Sequence, residues 1–247
     1  VFVFFNFFRG DFMELNIIHN ADCLQFMSNL DDNCIDLSLT SPPYNTGGKS
    51  VTGRDFYKDY KDNLSENEYQ NFIYGVVNEL LRITKHYVVF NFQILSGNKQ
   101  TYLQFFSDYK NNIKDIAIWN KQAVAQINKG KMATGYEFVV IMGKDDKMIF
   151  EYNNFPDNNY VPNIKTWHKK ESIKGHGATM PIEMAQYFIE YFSKKGDIVF
   201  DPFMGTGTTA IAAIKQDRNY LGTEITKEYI EIANKRINPL IMQSKLF

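Results

Sequence analysis

The sequence predicts an α/β fold built on a mainly parallel sheet, and three observations carry that prediction. Strand-like and helix-like segments alternate through most of the 247 residues, the pattern that strand–helix–strand connections leave in a chain. A glycine turn at Gly205 and Gly207 stands between an apolar run and a helix-like segment, as nucleotide-binding turns do. A second apolar run, Ile35 to Leu39, stops at Thr40-Ser41-Pro42-Pro43, where the prolines end a strand at the edge at which open sheets hold their ligands. The length allows one substantial core and crowds out a second full domain.

Taken in order, the elements support this. Residues 1–12, VFVFFNFFRGDF, precede the first methionine, Met13. They are too short for a membrane span and lack the cationic start of a signal peptide. They read as a non-native or upstream-translated segment, with an edge strand or a partner-binding arm as the alternative. After the strand Ile35 to Leu39, Ser65 and Glu68 make a capping box, and Tyr69, Phe72, Ile73, Val76, Val77, Leu80 and Leu81 recur at helical spacing. Tyr87 to Phe92 reads as a buried strand and Leu103 to Tyr109 as the end of a helix. Ile113 to Trp119 and Tyr136 to Met142 read as strands that pair antiparallel. Periodicity fades from Gly143 to Gly175, the signature of a long irregular insertion. A helix from Pro181 to Lys194 follows, with proline at its first position. Next come a strand Asp197 to Phe200, the glycine turn, a helix through Ile214, a strand Asn219 to Glu224 and a helix Lys227 to Ile237.

Composition narrows the chemistry. The 21 Phe and 15 Tyr are rich for this length and chiefly fill a core. A net charge of −1 means that any nucleic-acid contact must come from a local basic patch. Cys23 and Cys34, with no secretory leader ahead of them, suggest reduced thiols in a cytoplasm. His19, His86, His168 and His176 have no metal-ligand spacing, so no metal is expected. No segment suits a membrane span.

Around the glycine turn the sequence runs Asp201-Pro202-Phe203-Met204-Gly205-Thr206-Gly207-Thr208-Thr209. Glycine lacks a Cβ and tolerates positive φ, so backbone there approaches a ligand closely. No lysine follows the second glycine, which argues against a triphosphate site, and the third glycine of a dinucleotide fingerprint is missing. What remains is a ligand with a ribose and no need of a phosphate cradle. Glu224, at the end of the next strand, can accept hydrogen bonds from both ribose hydroxyls. S-adenosylmethionine has that shape, with Asp201 facing its ammonium group, Phe203 lining the pocket, and Gly205, Gly207, Thr208 and Thr209 forming the loop. The glycines alone read equally well as an ordinary βα loop.

In Thr40-Ser41-Pro42-Pro43-Tyr44-Asn45 two prolines stiffen a loop on a strand end. An exocyclic amine on a base has its lone pair delocalised into the ring. Acceptors at Ser41 Oγ and the Pro42 carbonyl would take its two hydrogens and favour a tetrahedral nitrogen, with no covalent intermediate. Tyr44 would stack on the base, which must leave the helix to be reached. Standing alone, the motif reads as a Pro-Pro turn beside a buried tyrosine.

Together the two motifs resemble the catalytic and cofactor motifs of the amino-methylating DNA methyltransferases. Catalytic loop first and cofactor loop near the C-terminus resembles the β group of that family. Asn20-Ala21-Asp22-Cys23 with Leu24 is similar to the segment lining the cofactor adenine, which implies contacts from Asp22 and Cys23. His176-Gly177-Ala178-Thr179-Met180-Pro181 is similar to the segment before the cofactor strand, which implies Thr179. Leu221-Gly222-Thr223-Glu224 with Tyr229, Ala233 and Arg236 resembles the ribose-binding strand and its helix. The resemblance runs from Met13 to about Asn238. It implies a Rossmann-like class I S-adenosylmethionine-dependent methyltransferase fold: a mainly parallel seven-stranded sheet with an antiparallel hairpin and circularly permuted motif order. Residues 13–247 would form a single methyltransferase domain with a short target-recognition insertion at about 122–175. Gly177 departs from the proline often found there. Ser41 in place of the aspartate more typical of adenine enzymes puts cytosine N4 ahead of adenine N6.

The expected partner is double-stranded DNA with base flipping, in a restriction-modification setting that leaves open a companion endonuclease and a homodimer. Lys121, Lys129, Lys131, Lys165, Lys169, Lys170 and Lys174 give the insertion a basic character suited to phosphates, with Trp167, Tyr160 and Asn163 near bases. Each lysine alone reads as solvated surface, and Trp167 as core. Lys49 and Arg54 stand in a loop, Asn45 to Asn63, that would close over the flipped base. Two other readings are methylation of RNA or of a protein amide, and a scaffold that binds DNA without turnover.

Overall fold

A computed structural model describes residues 13–47, 62–122, 134–145, 161–168 and 179–244. The elements in chain order are β1 (Ile17–His19), α1 (Cys23–Met27), β2 (Ile35–Thr40), α2 (Glu66–Ile83), β3 (Thr84–Phe92), α3 (Lys99–Asp108), β4 (Ile113–Asn120), β5 (Tyr136–Met142), β6 (Ile164–Thr166), α4 (Ile182–Phe192), β7 (Ile198–Asp201), α5 (Thr208–Ile214), β8 (Asn219–Thr223) and α6 (Lys227–Ser244). The strands form one sheet in the order β1-β8-β7-β2-β3-β5-β4-β6. β5 runs antiparallel to both neighbours, β3 and β4, and every other pairing is parallel.

β3 is buried along almost its whole length because both faces of the sheet are covered. Its side chains alternate: Val88 and Phe90 join α1, α2 and α3 on one face, while Tyr87 and Val89 join α4, α5 and α6 on the other. The first face holds much of the aromatic content. Phe92 stacks on Tyr102 with ring centroids 3.8 Å apart, and Phe90, Phe105, Phe106 and Phe138 close around them. α2 begins at Ser65 with both halves of the expected capping box.

Several features bear on the sequence reading. The described residues hold eight strands, one more than expected. The additional β6 docks at the sheet edge because Ile118 N–H donates to Asn163 O at 2.6 Å and the Trp119 indole donates to Trp167 O at 3.0 Å. Second, β5 falls within the 122–175 span read as an insertion and sits inside the sheet. Third, β1 and α1 are too short to show a period in the sequence. Fourth, α6 continues past Ile237 and through Pro239 to Ser244, with Leu240 and Ile241 still packed on the core. Pro181 caps α4 instead of opening it. Residues 1–12 lie outside the described residues. No described helix is long and apolar enough to cross a membrane.

Candidate active site

β7 continues through β8 toward one edge of the sheet, and β2 continues through β3 toward the other. The boundary between β7 and β2 is therefore a topological switch point, where diverging connections leave a crevice outside the strand carboxyl ends. Both sequence motifs emerge there. The register pairs Ser38 of β2 with Phe200 of β7, so the two loops leave neighbouring strand ends.

The loop after β7 turns through Gly205 at φ +54° and Gly207 at φ +85°. Gly207 has a second reason to lack a side chain. A Cβ there would lie 3.0 Å from Ala233 Cβ, since α6 packs directly beneath the loop. Arg236 of α6 donates to the Thr206 carbonyl. Across the crevice mouth, Glu224 stands just past β8, accepting from Gly205 N–H at 2.9 Å and Thr226 N–H at 2.8 Å. Burial raises its carboxyl above the usual range. A carboxylate has about four acceptor positions, so these bonds leave acceptor capacity beside the glycine loop. Phe203 packs edge-on against Phe72 at 5.9 Å. Asp22 caps α1, accepting from Gln25 N–H at 2.9 Å. Cys23 is buried beside it, its thiol pushed up to about 12 by burial and by the charge of Asp22.

The loop after β2 is held carbonyl by carbonyl. Tyr69 donates to Pro43 O at 2.7 Å and also contacts the Tyr102 hydroxyl. Asn98 donates to Tyr44 O at 2.7 Å. Asn45, at φ +55°, donates to Leu64 O and Gly97 O and takes the Leu64 N–H in return. Asp62 accepts from the N–H groups of Asn45 and Thr46. The Pro42 carbonyl accepts no hydrogen bond from any described residue. Half-buried Ser41 reaches the Tyr44 hydroxyl at 2.9 Å, and that hydroxyl donates to Glu137 at 2.8 Å. Burial, then the Glu137 charge, holds the Tyr44 phenol well above its ordinary value.

Asp201 joins the two loops. Its carboxylate accepts from Thr40 at 2.7 Å, from Thr209 at 2.6 Å and from the Phe203 N–H at 3.0 Å. It is 4% exposed, and burial pushes its carboxyl up to about 6. Asp201 was expected to face a ligand's ammonium group. In the structure its oxygens tie the end of β2 to the start of α5.

The model of the DNA methylase family matches residues 35–235, a span that takes in both loops and the sheet between them. The chain belongs to the N6/N4 DNA methylase family. Among its relatives, the orphan methyltransferase M.BamHII of Bacillus amyloliquefaciens is 28% identical over 264 residues, covering 88% of this chain and 94% of that one. The type II methyltransferase M.HinfI of Haemophilus influenzae is 29% identical, covering 92% and 69%. The fold is similar to the cytosine-N4-specific PvuII DNA methyltransferase, with TM-score 0.70, 18% identity and coverage of 89% and 85%. It is also similar to M1.HpyAVI, solved as a complex with S-adenosylmethionine, with TM-score 0.60, 23% identity and coverage of 89% and 98%.

Within this DNA methylase the expected DNA-side residues fare differently. Lys49, Arg54, Lys129, Lys131, Lys169 and Lys170 lie outside the described residues, as do Tyr160, Lys174 and His176. Lys165 rests its ammonium over the Tyr187 ring, 4.1 Å from the centroid. It sits on β6, four strands from β2, or about 19 Å at ordinary strand spacing. Lys121 pairs with the buried Glu137 and lies over Trp119, so its charge is used internally. Trp167 is core, buried against Tyr187 and Phe188. Asn163 spends its carbonyl on Ile118. Half-buried Thr179 lies two residues before the cap of α4, in the segment that leads into the helix before β7. Sequence reasoning missed Thr40, Asp62, Tyr69, Asn91, Asn98 and Glu137, which hold the β2 loop from distant parts of the chain.

Proposed function

We propose that this DNA methylase transfers the methyl group of S-adenosylmethionine to the exocyclic amino nitrogen of a base turned out of double-stranded DNA, with cytosine N4 ahead of adenine N6. The observation that carries the reading is the 2.7 Å hydrogen bond from Thr40 to Asp201, which fastens the proline-stiffened loop to the glycine loop at the switch point. That joint supports donor and acceptor sites beside one crevice.

The residues present fit the cofactor. The glycine loop offers backbone with no side chain in the way, and Glu224 keeps acceptor capacity for a ribose hydroxyl beside it. Phe203, Asp22, Cys23, Thr179, Thr208 and Thr209 would surround it. When bound, the cofactor supplies an electrophilic methyl group on a sulfonium.

The chain's own residues prepare the nitrogen. Ser41 Oγ and the Pro42 carbonyl accept the two amine hydrogens and draw the lone pair out of the ring. The neighbouring carbonyls of Pro43 and Tyr44 are already engaged, so the amine meets one carbonyl in one orientation. Half-buried Tyr44 offers its ring to the base. With its two hydrogens held by Ser41 and Pro42, the amine would present its freed lone pair to that methyl group, and the surplus amine proton would pass to water. Ser41 in the first motif position supports cytosine, and likeness to type II methyltransferases supports a restriction-modification setting with a companion endonuclease.

Incubation with methyl-labelled S-adenosylmethionine and mixed duplex DNA, followed by digestion to nucleosides, tests this. N4-methylcytosine is expected; N6-methyladenine would reassign the base, and an unlabelled nucleoside pool would defeat the reading. Ser41→Ala should lower kcat by about 100-fold, the scale of removing one transition-state hydrogen bond, with cofactor affinity unchanged.

A further inference from the structure

Glu137 is an anomaly in the sheet. It lies on β5, between two strands, opposite Trp119, and is 4% exposed. A carboxylate there costs desolvation that an apolar residue would avoid, and one ammonium, that of Lys121, compensates it. Its other oxygen, Oε2, receives the Tyr44 hydroxyl at 2.8 Å.

We infer that Glu137 is a positioning residue for methyl transfer: through Tyr44 it turns the Ser41 hydroxyl proton away from the crevice, so that Ser41 meets the target amine purely as an acceptor. The inference rests on the reading of Ser41 given above and adds to it the group that sets its direction.

A carboxylate paired with an ammonium has no proton to give, so at Oε2 it can only accept. Tyr44 has one proton. Its other neighbour besides Ser41 is Asn91 Oδ1 at 3.3 Å, also an acceptor, because the Asn91 amide nitrogen is spent on Phe138 O at 3.0 Å. The Tyr44 proton therefore points toward Glu137 and Asn91. The 2.9 Å contact with Ser41 must then be a donation from Ser41 to Tyr44 Oη. Burial keeps the phenol protonated, so the chain of donors does not reverse at ordinary pH. With its only proton committed inward, Ser41 has both lone pairs left for the crevice. A serine free to rotate would also present its proton, and a donor facing the amine would compete with the methyl group for the nitrogen lone pair.

The test is a double-mutant cycle between Glu137→Gln and Ser41→Ala, read by single-turnover methylation with cofactor affinity and melting temperature measured alongside. A hydrogen bond to a charged acceptor is roughly twice as strong as a neutral one, so Glu137→Gln should lower kcat about tenfold, leave the KM for DNA and the cofactor affinity unchanged, and cost nothing further in the Ser41→Ala background. A merely structural role would cost the same in both backgrounds, and that result, or wild-type kcat in Glu137→Gln, overturns the inference. If Glu137→Gln fails to bind cofactor, the same cycle is run with Tyr44→Phe, where additivity overturns it. A wild-type protein that labels no base amine, or a fully active Ser41→Ala, defeats the underlying reading and the inference with it. Labelled wild type with an indifferent Glu137→Gln defeats the inference alone.

Discussion

Replacing Asp201 with asparagine probes the joint between the two loops. In the native state the Asp201 carboxyl is raised from 3.8 to about 6 because burial outweighs its three hydrogen bonds. A raised carboxyl binds its proton more tightly folded than unfolded. Its stabilising contribution is therefore complete below 3.8 and is lost as pH rises through about 6. The full displacement corresponds to about 3 kcal/mol, of which about 2 kcal/mol falls between pH 4.5 and 7.5. Asp201→Asn has no such titration. Whatever constant penalty it suffers from altered hydrogen bonding, its stability relative to wild type should improve by about 2 kcal/mol across that window, or about 4 to 8 °C in Tm for a chain of this size. Urea unfolding of both proteins at half-unit pH steps measures the difference directly. Parallel stability curves would show that Asp201 is not titrating as a buried carboxyl, and the account of the joint would fall.

Two further outcomes are expected of the cofactor side. Glu224→Ala removes the open acceptors and releases the Gly205 and Thr226 N–H groups; losing two charge-assisted hydrogen bonds is worth about 3 kcal/mol, so cofactor Kd should rise about 100-fold by calorimetry. An unchanged Kd would remove Glu224 from the ribose. Gly207→Ala forces a Cβ into left-handed backbone and toward Ala233, and should destabilise the protein by about 1 to 3 kcal/mol in denaturant unfolding; wild-type stability would mean that α6 does not pack on the loop as described.

Much of the scaffold was legible because its signals are local. Ser65 and Glu68 announce α2 within four residues, and the glycines at 205 and 207 announce a turn by their own stereochemistry. The β2 and β7 strand ends were readable from prolines and apolar runs. What failed were readings in which side-chain type stood in for position. Trp167 and Lys121 have the chemistry of a DNA face, yet one fills the core and the other neutralises a buried carboxylate. β6 was hidden because three residues carry no period, and its docking depends on an indole donor 48 positions away.

The sequence by itself determined most of the strands and helices, though not β1, α1 or β6, together with the two loops and the residue types that each presents, since propensity, capping and turn chemistry act over a few neighbours. Only the tertiary structure decided that Thr40 and Asp201, 161 positions apart, share a hydrogen bond, that the Pro42 carbonyl is left open while Tyr69 and Asn98 take those beside it, and that Glu137 accepts from Tyr44. These are contacts between strand ends brought together by sheet order, and sheet order is set by burial of whole faces, which no short stretch of chain encodes.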